Sequence, residues 1–470
     1  MRKTEITLSD FDLRLSARSA PCDYETASGN KVNNMRIVLA VMTCSILSLA
    51  AQADDSPLGS FVGQGKATAP TKLLPQAAQG DWPWWRGPER NGISADRDAV
   101  TQWSLKDNVL WATNVPGRGH SSPIVIGKRV FLTSADDATQ KQSILAFDRQ
   151  TGAPLWTTLA HQGNFTRKYP KNTHASATQV CDGGRLFSVF INADGLHVTA
   201  TDLEGKTLWQ TRAGDFQSLH GYGSSPVLYK NLVIVNGDSV KSCYLTALDA
   251  QSGKIVWRIE RKVVGKYGNY GTPALAHLNN KAQLLQAGLG QTASYDPENG
   301  NLLWSCAGPA EVSANTPAFN ATMVFSSGGF PEKELRAIRG DGMGVVTKTH
   351  LAWKADKGIT YVPSPLYHAG LLYMVNDSGI ATCLDAETGK QVWQERLQGS
   401  FSSSPVMVGD MIYATSETGQ TSIFKANRKF ELVGTNSLQE PVMTTPAICG
   451  SQIFLRTASK LYCLGVSKDK

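Results

Sequence analysis

The sequence predicts an all-β fold, an eight-bladed β-propeller of four-stranded antiparallel blades. First, a phrase of about 40 to 55 residues recurs along the chain. Second, each phrase alternates apolar and polar residues over short runs, and no long segment shows the 3.6-residue period of a helix. Third, the last phrase lacks its fourth strand, which an unpaired strand before the first phrase can supply. This match of the two ends predicts a closed ring.

Composition supports a folded chain with many turns. The 470 residues are 41% hydrophobic and 18% charged, which is enough apolar material for a large core and argues against disorder. The 43 Gly and 21 Pro suit a fold with many tight turns. The formal net charge of +7 is small for this length, and no run of five basic residues occurs, so we expect no nucleic-acid partner.

The N-terminal region predicts export to the periplasm or cell envelope. Residues 35–53 contain one Arg, an apolar stretch and the small-residue pattern Ala-Gln-Ala, which is typical of a secretory signal peptide cleaved after Ala53. Residues 1–34 are interpreted as a mis-called or disordered extension, the alternative being a long charged leader to the signal peptide. A lipid anchor on Cys44 is a further alternative. No later segment has about 18 consecutive apolar residues, so we expect no membrane span in the mature chain.

The remaining chain divides into three parts. Residues 54–80 are rich in Ala, Gly, Pro and Gln and predict a flexible leader. Residues 81–107 form an arm rich in Trp, and residues 108–470 form the propeller, which we expect to be monomeric. We expect the arm to pack across one face of the propeller, and the alternative is a ligand platform made of its indole rings.

Each repeat opens with a small residue before its first strand. The eight predicted openings are Ser122-Pro123, Ser176-Ala177, Ser225-Pro226, Thr272-Pro273, Thr316-Pro317, Ser364-Pro365, Ser404-Pro405 and Thr445-Pro446. Two apolar strands and a third alternating strand follow each opening. Eight openings therefore predict eight blades.

Most repeats close with a turn and a Trp, whereas the fifth reaches Trp353 late and the seventh ends at Leu432 instead of Trp. Residues 146–156 read Ala-x-Asp-x-x-Thr-Gly-x-x-x-Trp, and residues 247–257 repeat this pattern with Ser in place of Thr. Asp can accept backbone N–H groups in such a turn, and Gly can adopt a positive φ. The Trp falls on the last strand of the blade, where it can dock against the next blade. We therefore interpret the Asp and Thr residues as structural, and not as acid–base catalysts.

The two ends of the chain predict how the ring closes. Residues 445–465 contain three strands and then the chain loses the pattern, without the fourth strand that carries Trp. Residues 108–114, with Trp111, form a strand that has no partner in the first repeat. Pairing of these two segments completes the eighth blade and buries the edges that an open array would expose.

The cysteines are interpreted as small buried residues. No Cys-x-x-Cys motif and no adjacent pair occurs. Three of them, Cys243, Cys383 and Cys463, occupy similar repeat positions on predicted strands. We therefore expect free thiols in the core, although an exported protein permits disulfides.

The repeat resembles the PQQ-like eight-bladed propeller family over residues 108–465. That family includes quinoprotein alcohol dehydrogenases and the lipoprotein subunit of the outer-membrane β-barrel assembly machinery. The resemblance implies that a dehydrogenase would hold its quinone over the channel, on a Trp floor and under a disulfide of adjacent cysteines, with calcium and a catalytic Asp. Here no cysteines are adjacent and the eleven Trp are allotted to blade ends and to the N-terminal region. We therefore expect a non-enzymatic scaffold without a cofactor, the alternative being an alcohol oxidoreductase with PQQ and calcium.

The candidate binding site lies where segments lead into the innermost strands, because these segments meet at one mouth of the channel. The candidate residues are His120, His174, His220, Tyr222, Asn269, Tyr270 and Tyr361. We expect them to bind an envelope protein or an extracytoplasmic ligand. The three His could ligate a metal, but no spacing fixes a coordination geometry, so no metal site is assigned. The alternative is that these side chains fill the channel together with ordered water.

Overall fold

The computed structural model describes residues 77–467, apart from residues 263, 264 and 266. The predicted extension (1–34), the signal peptide (35–53) and residues 54–76 of the leader lie outside the described residues. Among the described residues all regular structure is β, and hence no helix is long and apolar enough to cross a membrane. The strands form eight antiparallel sheets, as the repeat predicts.

One strand, which belongs to the eighth blade, precedes the first four blades in the chain. That strand is β1 (Val109–Asn114). Blade 1 contains β2 (Ile124–Ile126), β3 (Arg129–Asp136), β4 (Lys141–Asp148) and β5 (Pro154–Gln162). Blade 2 contains β6 (Val180–Cys181), β7 (Arg185–Asn192), β8 (Gly195–Asp202) and β9 (Thr207–Gly214). Blade 3 contains β10 (Val227–Tyr229), β11 (Leu232–Asn236), β12 (Cys243–Asp249) and β13 (Ile255–Arg261). Blade 4 contains β14 (Ala274–Leu278), β15 (Lys281–Gly288), β16 (Gln291–Tyr295) and β17 (Leu302–Ala307).

The last four blades include one extra strand. Blade 5 contains β18 (Ala318–Phe319), β19 (Met323–Gly328), β20 (Glu334–Arg339) and β22 (Leu351–Ala355). Strand β21 (Gly344–Val345) lies between β20 and β22 in the chain but pairs in parallel with β17 of blade 4. Blade 6 contains β23 (Leu366–His368), β24 (Leu371–Val375), β25 (Ile380–Asp385) and β26 (Gln391–Arg396). Blade 7 contains β27 (Val406–Val408), β28 (Met411–Thr415), β29 (Gln420–Lys425) and β30 (Leu432–Ser437). Blade 8 contains β31 (Ala447–Cys449), β32 (Gln452–Arg456) and β33 (Lys460–Leu464), with β1 as its fourth strand.

The predicted closure of the ring is confirmed. Strand β1 pairs antiparallel with β33, with Trp111 opposite Cys463 and Val109 opposite Leu464. The two ends of the propeller therefore share one sheet, and the buried side chains of blades 1, 7 and 8 form a continuous cluster around it. The ring needs no disulfide, since all six cysteines of the described residues are free and buried.

Six Trp residues link one blade to the next, whereas Trp304 donates to Gln283 within its own blade. Trp156 at the end of blade 1 donates its indole N–H to the carbonyl of Leu203 in the turn of blade 2, with an N···O distance of 3.0 Å. Its ring lies against Gly205, where φ is +90° and an added Cβ would lie 2.7 Å from the indole. The same arrangement recurs at Trp111, Trp209, Trp257, Trp353 and Trp393, which donate to the turn of the following blade. The predicted Asp-x-x-Thr-Gly turn is therefore the socket for the Trp of the preceding blade.

A ring of hydroxyl groups surrounds the channel. The members of this hydroxyl ring are Ser122, Thr178, Ser225, Thr272, Thr316, Ser364, Ser404 and Thr445. Each step around the ring joins the ring residues of two neighbouring blades. In seven of the eight steps, the backbone N–H of one ring residue donates to the hydroxyl of the ring residue in the next blade, at 2.8 to 3.0 Å. The second opening was placed wrongly at Ser176, because the residue that joins the ring is Thr178.

The arm rich in Trp runs across one face of the propeller. Trp82 pairs with Val125 of blade 1 through backbone hydrogen bonds. The guanidinium of Arg86 donates to the carbonyls of Pro365 and Pro405 at 2.8 and 2.9 Å. Trp82 and Trp84 are only 2% and 3% exposed, so packing of the arm, and not a platform of exposed rings, accounts for them.

Candidate functional site

The mouth cavity is a depression of about 540 Å³ at one end of the central channel. It is lined by segments that precede the innermost strands of several blades. Four of the predicted residues line it, namely His120, His220, Tyr270 and Tyr361. Five further polar or aromatic residues line it that were not chosen as candidates, although all but Ser176 lie in segments that the sequence places at the mouth. They are Tyr169, Lys171, Asn172, Ser176 and Ser402. The cavity therefore combines ring faces, imidazoles and one lysine.

His174 lies behind the wall of the mouth cavity. It is 9% exposed, and its ring packs on that of Phe165 with centroids 4.0 Å apart. Burial, reinforced by the charge of Lys168 and opposed by Asp137, lowers the pKa of His174 to about 4. A neutral, buried imidazole at this position supports the neighbouring loop and does not line the cavity.

Tyr222 and Asn269 also lie behind the wall. The hydroxyl of Tyr222 donates to the carbonyl of Asn236 at 3.0 Å. The side chain of Asn269 donates to the carbonyl of Ala287 at 2.8 Å and accepts from the backbone N–H of Ser313 at 3.0 Å. Both side chains are nearly inaccessible, at 6% and 2% exposure, so they hold the loops that carry the lining residues.

His120 lies in an electropositive part of the wall. Burial and, to a smaller extent, the nearby charges of Arg456, Arg118, Lys171 and Lys168 together lower its pKa to about 3. The imidazole is therefore neutral at ordinary pH. Lys171 and Lys168 are paired with Glu417 and Asp137. Because Arg456 and Arg118 add two further positive charges, this side of the cavity favours an anionic group of a ligand.

Two carboxylates of the rim are already engaged within the protein. Glu417 accepts from the Lys171 ammonium at 2.5 Å and from the Ser402 hydroxyl at 2.6 Å. Asp377 accepts from the backbone N–H of Tyr361 at 2.9 Å. Both acids stand two residues before a Gly, in equivalent hairpins of blades 6 and 7. That repeated spacing was the signal in the sequence that could have identified them.

His220 lies in another part of the wall of the mouth cavity, among tyrosines. Its Nδ1 is 2.9 Å from the hydroxyl oxygen of Tyr270, which in turn donates to the carbonyl of Tyr267 at 2.5 Å. The hydroxyl of Ser218 is 3.4 Å from the same oxygen. Burial raises the pKa of Tyr270 and raises that of Tyr361 to about 12, so both phenols keep their protons.

The mouth cavity continues into a narrower space along the channel, which we name the shaft. The shaft has a volume of about 90 Å³ and is lined by members of the hydroxyl ring and by Trp85. Trp85 donates to Oγ1 of Thr316, the hydroxyl that none of the seven backbone N–H groups reaches. Its indole lines the shaft but not the mouth cavity.

No group of three His, Cys, Asp or Glu side chains within the described part of the chain is arranged to hold a metal ion. The three candidate His do not come together, since His174 is buried behind the wall while His120 and His220 both line the cavity. The donors that reach the cavity are an amide, imidazoles, hydroxyls and a lysine, which suit an organic ligand.

The fold and the cavity define an eight-bladed propeller of PQQ-like repeats with a ligand-sized depression at its channel mouth. The chain belongs to the family described as outer membrane protein assembly factor BamB, whose model matches residues 89–167, 140–328 and 343–461. The matched segments cover most of the propeller, so the resemblance of the repeats is confirmed.

Relatives with assigned names are enzymes. The chain is 22% identical over 316 residues to polyvinylalcohol dehydrogenase from Pseudomonas sp, covering 62% of this chain and 46% of that protein. It is 23% identical over 350 residues to tetrathionate hydrolase from Acidithiobacillus ferrooxidans, covering 66% of this chain and 65% of that protein. The chain thus spans less than two thirds of the length of either relative.

A solved structure with the same fold is a quinohemoprotein alcohol dehydrogenase from Comamonas testosteroni. Its TM-score is 0.58 at 11% identity, and the match covers 83% of this chain and 81% of that chain. At this identity the likeness shows the fold alone.

Two expectations from the sequence are overturned by these comparisons. The prediction that the protein is not an enzyme is wrong, because the relatives are a dehydrogenase and a hydrolase by name. The prediction of no cofactor is wrong as well, because the relatives and the matching fold include dehydrogenases, one of them a quinoprotein by name. The lack of adjacent cysteines excludes one kind of cap over a ligand and not the ligand itself.

Proposed function

We propose that this protein is a quinoprotein-type oxidoreductase of the cell envelope that oxidises an alcohol in the mouth cavity. The observation that carries the proposal is the pairing, in one cavity of about 540 Å³, of the electropositive wall at His120 with the aromatic wall at His220. Cofactor sites commonly have volumes of roughly 300–1,000 Å³ and a few placed polar groups. The envelope location rests on the predicted signal peptide.

The residues of the cavity fit a planar, anionic quinone. PQQ carries carboxylates on an aromatic ring system, and Lys171 and the imidazole of His120 line the wall where anions are favoured. Tyr270 and Tyr361 offer aromatic surfaces on another wall. Asn172 adds an amide at the same cavity. When bound, such a quinone would accept a hydride, and with it two electrons, from an alcohol.

Calcium fits less well than the quinone. The described residues offer no cluster of three acidic or imidazole ligands. The rim carboxylates of Glu417 and Asp377 are already held by protein donors. We therefore assign the quinone to the cavity and assign no calcium ligands.

The test uses the purified protein, PQQ and a dye that accepts electrons. We expect saturable quenching of intrinsic fluorescence by PQQ, with or without calcium, and alcohol-dependent reduction of the dye. Lys171→Ala and His120→Ala should weaken PQQ binding. His277→Ala is the matched control, because His277 is an exposed residue of β14 that lines neither cavity. Absence of saturable PQQ binding by the wild-type protein would refute the proposal.

A second candidate function is binding of an envelope protein at the mouth. The description of the matching family as an assembly factor favours it. Tyr169 is a lining residue that is 54% exposed, so it is a suitable position to test. Loss of a co-purifying protein in Tyr169→Ala, with unchanged PQQ binding, would support this function.

A further inference from the structure

His220 is a half-buried residue of the mouth that is surrounded by aromatic side chains. Its ring lies near those of Tyr169, Tyr267 and Tyr270, with centroids 5.7, 6.1 and 5.8 Å away. It lines both the mouth cavity and an adjoining cavity of about 200 Å³ that includes Val312. A ligand in either space therefore meets this imidazole.

The hydrogen bonds around His220 determine its tautomer. The Tyr267 carbonyl can only accept, so the single proton of the Tyr270 hydroxyl points to that carbonyl. The Tyr270 oxygen must then accept from His220, and Nδ1 of His220 carries the proton at a distance of 2.9 Å. A neutral imidazole has only one N–H, so its Nε2 has a free lone pair. The backbone N–H of His220 also donates to the Ser218 hydroxyl at 3.1 Å, which fixes the base of the side chain.

We propose that Nε2 of His220 is the proton acceptor for the hydroxyl group of the substrate, and that Tyr270 is the residue that positions it. The proposal rests on the proposed function, because it names the base for the same cavity. In the step, the proton leaves the substrate oxygen and becomes the Nε2–H of an imidazolium, while its electron pair stays on the oxygen. The Tyr270 oxygen continues to accept from Nδ1–H, which stabilises the positive ring. The substrate class is a neutral alcohol, and the bound quinone is the electron acceptor.

The other imidazole of the cavity is a poor candidate for this task. The pKa of His120 is lowered to about 3 by burial and by four nearby cations, so it accepts a proton only weakly. The neighbours of His220 differ, since its ring contacts are tyrosines. The titratable and charged side chains that line its two cavities are His120, Tyr169, Lys171, Tyr267, Tyr270 and Tyr361.

The first experiment is nitrogen NMR of the full protein with labelled histidine, which reports the tautomer without any activity. The resonance of His220 is assigned by its loss in His220→Gln. We expect the Nδ1–H form in the wild-type protein at neutral pH. In Tyr270→Phe, which keeps the ring and removes the hydroxyl, the Nε2–H form should become populated. Tyr361→Phe is the matched control, because it removes a phenol from the same cavity away from Nδ1. An Nε2–H form in the wild-type protein, or an unchanged tautomer in Tyr270→Phe, overturns the proposal.

The second experiment measures dye-linked alcohol oxidation by the protein loaded with PQQ. His220→Ala should lower kcat by about 10²-fold or more, since this is the contribution expected of a general base. Added imidazole should restore part of the rate. Tyr270→Phe should lower kcat by about 10-fold and leave PQQ binding unchanged. If the wild type oxidises alcohols and His220→Ala keeps its rate, the assignment of His220 fails and the proposed function stands. If the wild type oxidises no alcohol, both fail.

Discussion

The indole Nε1 of Trp85 lies 2.8 Å from Oγ1 of Thr316 and donates a hydrogen bond to it. This bond joins the N-terminal arm to the hydroxyl ring, in which each of the other steps is a bond between neighbouring blades. The arm therefore reaches the wall of the shaft, where Trp85 lies among members of the hydroxyl ring.

Replacement of Trp85 tests the contribution of its contact with Thr316 to stability. Trp85→Phe keeps an aromatic ring but removes the N–H, so we expect a loss of about 1 kcal/mol in the free energy of unfolding. Trp85→Ala also removes the ring and should cost more, because it leaves a space beside Thr316. Denaturant unfolding of the three proteins measures both steps. Equal stability of the wild type and Trp85→Ala would show that the contact of Trp85 with Thr316 does not stabilise the protein.

The socket for Trp156 predicts a difference between two glycines. Gly205 and Gly183 both have positive φ, +90° and +99°, so Ala is strained by the backbone at either position. Only at Gly205 does the added Cβ collide, 2.7 Å from the Trp156 ring, whereas nothing lies within 4 Å at Gly183. We expect Gly183→Ala to cost about 1 to 2 kcal/mol and Gly205→Ala clearly more. Equal unfolding midpoints of Gly205→Ala and Gly183→Ala in denaturant would show that the close contact of Trp156 with Gly205 does not contribute to stability.

Much of this fold could be predicted because its signals are local. The turn and the Trp stand at the same spacing in most blades, and the unpaired strand with Trp111 identifies the closure. The opening of blade 2 could not be placed correctly, since Thr178 lacks the Pro that marks the other openings. The structure identifies Thr178 as the opening residue because its hydroxyl accepts a hydrogen bond from the backbone N–H of Ser122. Strand β21 was not predicted either, because its partner is in another blade.

The site was harder to predict than the fold. The sequence indicates which segments reach the mouth, and His120 and His220 do line the cavity. It does not indicate which way a side chain turns within a loop. Tyr222 turns inward because its hydroxyl bonds to the carbonyl of Asn236, and Asn269 does so because its amide satisfies the backbone of Ala287. Such contacts depend on the packing of two strands and leave no pattern in the sequence.

The buried His174 predicts a loss of stability in acid. Its pKa is lowered to about 4 in the folded state, from an ordinary value near 6.5. Between these values the unfolded chain binds a proton that the folded chain does not, so stability falls as the pH falls through 6.5 towards 4. His174→Gln should reduce the drop in unfolding free energy between pH 7 and pH 5 by about 1 to 2 kcal/mol. Exposed His277, changed to Gln, is the control and should leave the drop unchanged. If His174→Gln shows the same drop as the wild type, the lowered pKa of His174 is contradicted.

The ion pair of Asp238 and Arg261 supports the loop that carries Tyr270. The two side chains are 0% and 1% exposed, and the amide of Asn269 lies 3.4 Å from the same Asp238 oxygen. Burial raises the pKa of Asp238, and the charge of Arg261 opposes that rise. Each charge is therefore costly to leave alone in this environment.

A double-mutant cycle measures this coupling. Asp238→Asn leaves the guanidinium of Arg261 buried without a counter-ion, and Arg261→Met leaves the carboxylate unpaired, so each should cost about 3 to 5 kcal/mol. The double variant should be less destabilised than the sum of the singles, because it removes both charges together. In Asp238→Asn we also expect weaker PQQ binding, since Asn269 and the loop with Tyr270 lose an anchor. Denaturant unfolding and fluorescence titration provide the two measurements. Additive losses in stability would mean that the two charges act independently, and the pair would then not be what holds this side of the mouth.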